Sequence, residues 1–247
     1  MTVCEFQEID PEVLNRATEK ALEALDSERT PRLLVEFYDT ATNFAGSTFA
    51  MLQPRDAGAV TATDLLALRT LSIKLGAYEI RQFLDGGPNE RKISQLLGEL
   101  PSAELQNTNA ADFSPMAAFY DEVKRLLAGA GTKNSNRWVA ASKLTARKRP
   151  DLFPVRDRVV CGYLGILKQT DRARDWYVFR HLMRNSDITS RLSELPARIA
   201  AAANGRDVRL DEEPLRLLDA ILWRYAMTAS TEIPVDDEDA RGESESD

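Results

Sequence analysis

A capping side chain followed at once by proline occurs at Asp10-Pro11 and again at Thr30-Pro31, and apolar residues then recur at helical spacing. The cap accepts from free N–H groups at a helix start, and proline suits the first helical position because no hydrogen bond is lost there. Val13, Leu14, Ala17, Ala21 and Leu25 fall on one face of the first segment, and Leu34, Phe37, Tyr38 and Ala41 follow in the second. Thr61-Ala62-Thr63-Asp64 opens another helix, with Leu65, Leu68, Leu71 and Leu75 on one face and a break at Gly76. Further helices are expected through Tyr78, Ile80 and Phe83 to a stop at Asp85-Gly86-Gly87-Pro88, over 89–100, from Ser114-Pro115 to Gly129-Ala130-Gly131, and over 136–148. The pattern continues after Pro154, over 172–184, over 187–203 with a kink at Pro196, and over 212–228. Strand-like alternation barely appears. The spacing therefore predicts an all-α protein of about ten helices. Residues 1–230 form one globular domain with room for two lobes, and 44–54 and 106–109 are loops.

Composition narrows the function. Two cysteines and one histidine exclude a Cys-rich zinc or iron–sulfur site and most histidine metal sites. His181 sits inside an amphipathic helical run and reads as a helix-surface or packed structural residue. No metal or cofactor is expected, and any chemistry falls to carboxylates, lysines or hydroxyls. No window of about 18 uncharged apolar residues exists, so no membrane partner is expected. The first residues lack a basic stretch followed by an apolar run, which makes the cytoplasm the expected compartment. Oligomeric state is not legible.

Charge is unevenly placed. The chain carries −7, yet residues 133–174 hold eleven Lys or Arg against three Asp. The stretch 231–247 holds eight acids and one Arg and is expected to be a disordered acidic tail. One basic block in an acidic protein suggests a local polyanion site, with DNA as the expected partner. Lys143, Arg147, Lys148, Arg149, Arg156 and Arg158 would position the strand. Leu127-Ala128-Gly129-Ala130-Gly131 places two glycines between helices, where Gly129 and Gly131 allow close approach to a phosphate and Lys133 and Arg137 follow. A helix C-cap followed by a loop is the plainer reading of the same turn.

Asp157 stands alone as an acid between Arg156 and Arg158. Flanking arginines are expected to lower its pKa and keep it ionised. It is either a helix starter or an electrostatic partner for a sugar cation formed in glycosidic cleavage. Trp138 and Tyr163 are the candidate rings for stacking an extruded base.

The segment Ser142-Lys143-Leu144-Thr145-Ala146-Arg147-Lys148-Arg149-Pro150-Asp151-Leu152-Phe153-Pro154-Val155-Arg156-Asp157 resembles a motif of an uncharacterised bacterial domain-of-unknown-function family. The resemblance extends to Gly46 and Phe49, to 61–67 and to 217–223, and so covers most of 34–226. More remotely, the order of parts is similar to that of helix-hairpin-helix DNA glycosylases, which are all-α and two-lobed. Those enzymes bind phosphate at a Leu-Pro-Gly-Val-Gly hairpin and carry a catalytic Asp at the start of a later helix. The resemblance implies a phosphate hairpin at 127–131 and a catalytic role for Asp157. Ala128 stands where the hairpin proline would be, and Arg156 intervenes before the acid. What it implies is a monofunctional DNA glycosylase acting on a damaged or modified base, in repair or in defence against foreign DNA. A non-catalytic nucleic-acid-binding module and a protein-interaction domain using the basic block are the alternative readings.

Overall fold

The computed structural model describes residues 9–129, 137–167 and 172–229. The helices are α1 (Pro11–Asp26), α2 (Thr30–Tyr38), α3 (Gly46–Met51), α4 (Ala62–Thr70), α5 (Ala77–Leu84) and α6 (Pro88–Gly98). After a single 3-10 turn at Leu105–Asn107 come α7 (Phe113–Leu126), α8 (Trp138–Lys148), α9 (Arg158–Tyr163), α10 (Arg172–Arg184), α11 (Ser186–Ala202) and α12 (Pro214–Ala229). Among the described residues there is no strand, only an isolated bridge between Asp39 and Val208. No described helix is long and apolar enough to cross a membrane. The acidic stretch 231–247 lies outside the described residues.

Side-chain caps explain several of the helix starts. Asp10 caps α1 by accepting the Glu12 N–H at 2.9 Å. Thr61 and Asp64 form a reciprocal capping box on α4. Asn185 accepts from Asp187 and Ile188 at the start of α11. Thr30 departs from expectation: it is the first residue of α2, and its hydroxyl donates to Ala24 O at 2.5 Å.

Three expectations are corrected. α4 does not run on to Leu75 but stops at Thr70, where Ser72 adopts φ 63° and Ile73 N–H returns to Leu68 O at 3.2 Å. That six-to-one bond is a Schellman closure, here with serine in the left-handed position glycine usually holds. The segment 44–54 is not all loop, since it contains α3. Pro196 lies inside an unbroken α11, on its exposed side.

One continuous hydrophobic cluster draws on residues from every helix except α3. α12 packs on α1, α2, α9 and α11, while α8 packs between α4 and α7. Phe153 is fully buried in that core, edge-on to Trp176 at 5.5 Å. It anchors the loop between α8 and α9, and that loop delivers Asp157.

Candidate functional site

The loop from Arg149 to Asp157 is pinned at several points. Ser142 on α8 donates to Pro154 O at 3.1 Å and accepts from Arg156 N–H at 2.6 Å. Asp219 on α12 accepts Val155 N–H at 2.9 Å, and Arg216 donates to Phe153 O at 3.1 Å. Asp157 then caps α9, its Oδ1 accepting Val160 N–H at 2.8 Å.

Beyond that cap, Asp157 lines a cleft of about 260 Å³. Its walls come from the α2–α3 connection, the turn after α4, α8 and α12. Phe37, Phe44 and Trp223 meet there, with ring centroids 5.7 Å apart for Phe37–Trp223 and 6.4 Å for Phe44–Trp223. Gly46 lets α3 close on this wall, because a Cβ there would stand 2.6 Å from both the Phe37 ring and the Phe37 carbonyl. Lys143 enters from α8 and donates to Leu71 O at 3.2 Å, at the closure that ends α4. Asp211 and Asp219 also line the cleft. Tyr38 donates its hydroxyl to Asp211 at 3.2 Å.

The electrostatics reverse one expectation. Neither arginine beside Asp157 in sequence governs its ionisation. Burial pushes its carboxyl above the ordinary 3.8, and the Val160 N–H, the Lys143 charge and the Val159 N–H offset this in part. Burial likewise raises Asp211, opposed by the Arg216 charge and the Tyr38 hydrogen bond. Two carboxyls shifted upward in one cleft mark it as the strongest candidate site among the described residues. No group of three or more His, Cys, Asp or Glu among those residues is placed to hold a metal ion.

The basic motif has a different role from the one its composition suggests. Arg147 is 3% exposed and Lys148 8%. Arg147 bonds Asp64 Oδ1 at 3.2 Å and Phe49 O at 2.5 Å, and also reaches Leu52 O. Lys148 bonds Asp64 Oδ2 at 2.8 Å and Ala59 O at 2.6 Å, and reaches Asp56 O. Arg149 forks onto Asp151 and donates to Pro101 O at 2.8 Å. Arg156 is buried against Asp175, with its guanidinium 5.0 Å from the Trp138 ring centroid. The placement of Arg147, Lys148 and Arg156 on a strand-facing surface is therefore corrected: carboxylates and carbonyls distant in sequence turn them inward.

The other expected positions scatter. Arg158 is exposed and lines a second hollow with Trp138, Arg156, Arg172 and Asp175, so Trp138 does not face Asp157. Tyr163 lies outside both hollows, donating to Lys20 O at 2.8 Å and packing on Tyr225. Arg137 immediately precedes α8 and lines a third hollow with Leu65 and Ile80. Gly129 is not among the cleft residues, and Gly131 and Lys133 lie outside the described residues. The rings that do face Asp157, on Phe37, Phe44 and Trp223, were missed as a group. The signal for them was present: Gly46, Phe49 and 217–223 belong to the segments that carry the family resemblance, and they converge here.

The chain belongs to the Family of unknown function (DUF6308), which it matches over residues 31–226, a span containing every residue of the cleft. No curated protein and no solved structure matches it.

Proposed function

We propose that the protein is a monofunctional DNA glycosylase, with the cleft as its base pocket. The observation that carries this reading is the placement of Asp157 in one cleft with Phe37, Phe44, Trp223 and Lys143. At about 260 Å³ the cleft sits near the lower end of small-molecule sites, about 300 Å³ and upward, which suits one planar ring system. Aromatic walls bind any base through its π-face, and the ring reaches them by extrusion from the stack. The order of α7, α8 and an acid capping α9 is the one on which the remote resemblance rests, and it supports the reading without testing the hairpin.

In this reading the bond from C1′ to the base nitrogen breaks, and its electron pair leaves with the base, which takes a proton. Positive charge develops over C1′ and the ring oxygen, where the Asp157 carboxylate stabilises it in a poorly hydrated site. Water adds its oxygen to C1′ and passes a proton to Asp157, which releases it through solvent to the departed base and so returns to its ionised form. A raised pKa suits that role, since a stronger base accepts the proton more readily. Lys143 favours the ionised form of Asp157, and as a cation lining the same cleft it would offset negative charge developing on the base. Phosphate contacts fall to Lys143 and exposed cations such as Arg158, not to the buried arginines.

The test is incubation of the protein with DNA carrying a panel of damaged and modified bases, followed by alkaline cleavage to reveal abasic sites. Cleavage at one class of base supports the reading. Absence of cleavage across the panel, with DNA still bound, favours a non-catalytic module instead.

A further inference from the structure

Arg216 and Asp219 stand nearly one turn apart on α12 and both line the Asp157 cleft. Both are more than nine-tenths buried, at 4% and 6% exposure. Asp219 uses Oδ2 for the Val155 N–H and pairs with Arg216, but its Oδ1 has no hydrogen-bond partner. Arg216 uses Nη2 for the Phe153 carbonyl, but its Nε has none. Buried acceptors and donors are almost always paired in native interiors, so an orphaned acceptor beside an orphaned donor calls for an explanation. Their common position on the cleft wall supplies one.

We infer that Asp219 and Arg216 read the edge of the bound ring. Asp219 Oδ1 accepts from a ring N–H or amino group, and Arg216 Nε donates to the adjoining ring nitrogen or carbonyl oxygen. An ionised carboxylate accepts only, and a guanidinium donates only, so the pair has fixed polarity. The ligand class is a heterocycle with a donor and an acceptor on neighbouring atoms of one edge. Lactam rings of the hypoxanthine, guanine and uracil type qualify, as do the amino-imine edges of adenine and cytosine. A ring alkylated at that donor is rejected, because Oδ1 then stays unpaired against a methyl group. This inference rests on the ring-binding part of the function proposed above.

Titration calorimetry on the full chain tests it without catalysis. The probes are 9-methylhypoxanthine, 9-methyladenine and 1-methyluracil, blocked at the nitrogen that carries the sugar in DNA, each beside the analogue also methylated at its edge donor: 1,9-dimethylhypoxanthine, N6,N6,9-trimethyladenine and 1,3-dimethyluracil. Any parent ring that binds should do so about tenfold or more tightly than its methylated partner. Asp219→Asn can accept from Val155 while presenting an amino group to the ligand, and should shrink that gap below about threefold. Equal binding of parent and methylated rings by the wild type would overturn the edge reading and leave ring binding standing. A gap that persists in Asp219→Asn would also overturn it. No ring bound at all would overturn both this inference and the pocket assignment it rests on. The wild-type comparison decides the matter even where Asp219→Asn folds poorly.

Discussion

Lys148 Nζ stands 2.8 Å from Asp64 Oδ2, with both side chains sealed from solvent. Arg147 approaches the other oxygen of the same carboxylate. Removing one member of a buried ion pair leaves an uncompensated charge and costs about 3–5 kcal/mol. Asp64→Ala should therefore lower stability by that amount in urea unfolding. Joint replacement of Arg147, Lys148 and Arg149 by alanine should unfold the protein, not merely weaken its hold on DNA.

Gly46→Ala places a methyl group against the Phe37 ring and carbonyl. The carbonyl cannot yield as a flexible side chain would, so overpacking should cost about 1–3 kcal/mol. A lowered denaturation midpoint with unchanged urea dependence checks this.

Ring binding separates the two hollows. Base–aromatic stacking contributes about 1–3 kcal/mol by alanine substitution, so Trp223→Ala should weaken binding of a free base by roughly that much in calorimetry. Trp138→Ala removes the ring beneath Arg156, outside the cleft, and should leave base affinity unchanged.

The raised carboxyls set a pH dependence. Asp157 and Asp211 have folded pKa values above 3.8, the ordinary value each takes when unfolded. Between those values the folded state binds more protons than the unfolded state, so stability falls as pH rises from about 4 through the folded pKa. Asp157→Asn keeps the cap but lacks this proton. Wild type should therefore lose stability relative to Asp157→Asn across that window, as read from urea midpoints at a series of pH values. Base release, which needs the ionised form, should rise over the same interval.

The helices were legible because capping residues, Pro and the 3.6-residue period are local signals. α3 was not, because tertiary contacts make it: Gly46 under Phe37 and Arg147 on the carbonyls near its end. Asp157 was legible as a lone acid at a helix start. Its surroundings were not, since sequence neighbours such as Arg156 and Trp138 face another hollow, while Phe37, Lys143 and Trp223 meet it from three separate helices. Charge density also misled at Arg147 and Lys148, because Asp64 lies more than eighty residues away in the chain.

Whether Asp157 carries the chemistry is decided by Asp157→Asn on a DNA substrate that yields abasic sites with the wild type. The substitution keeps shape and most hydrogen bonding but removes the negative charge that stabilises the sugar cation. Single-turnover base release and DNA affinity are measured on the same oligonucleotide. The release rate of Asp157→Asn should be lower by about a hundredfold or more, with affinity within about threefold of wild type. Equal release rates in the two proteins would contradict this and remove Asp157 from the chemistry.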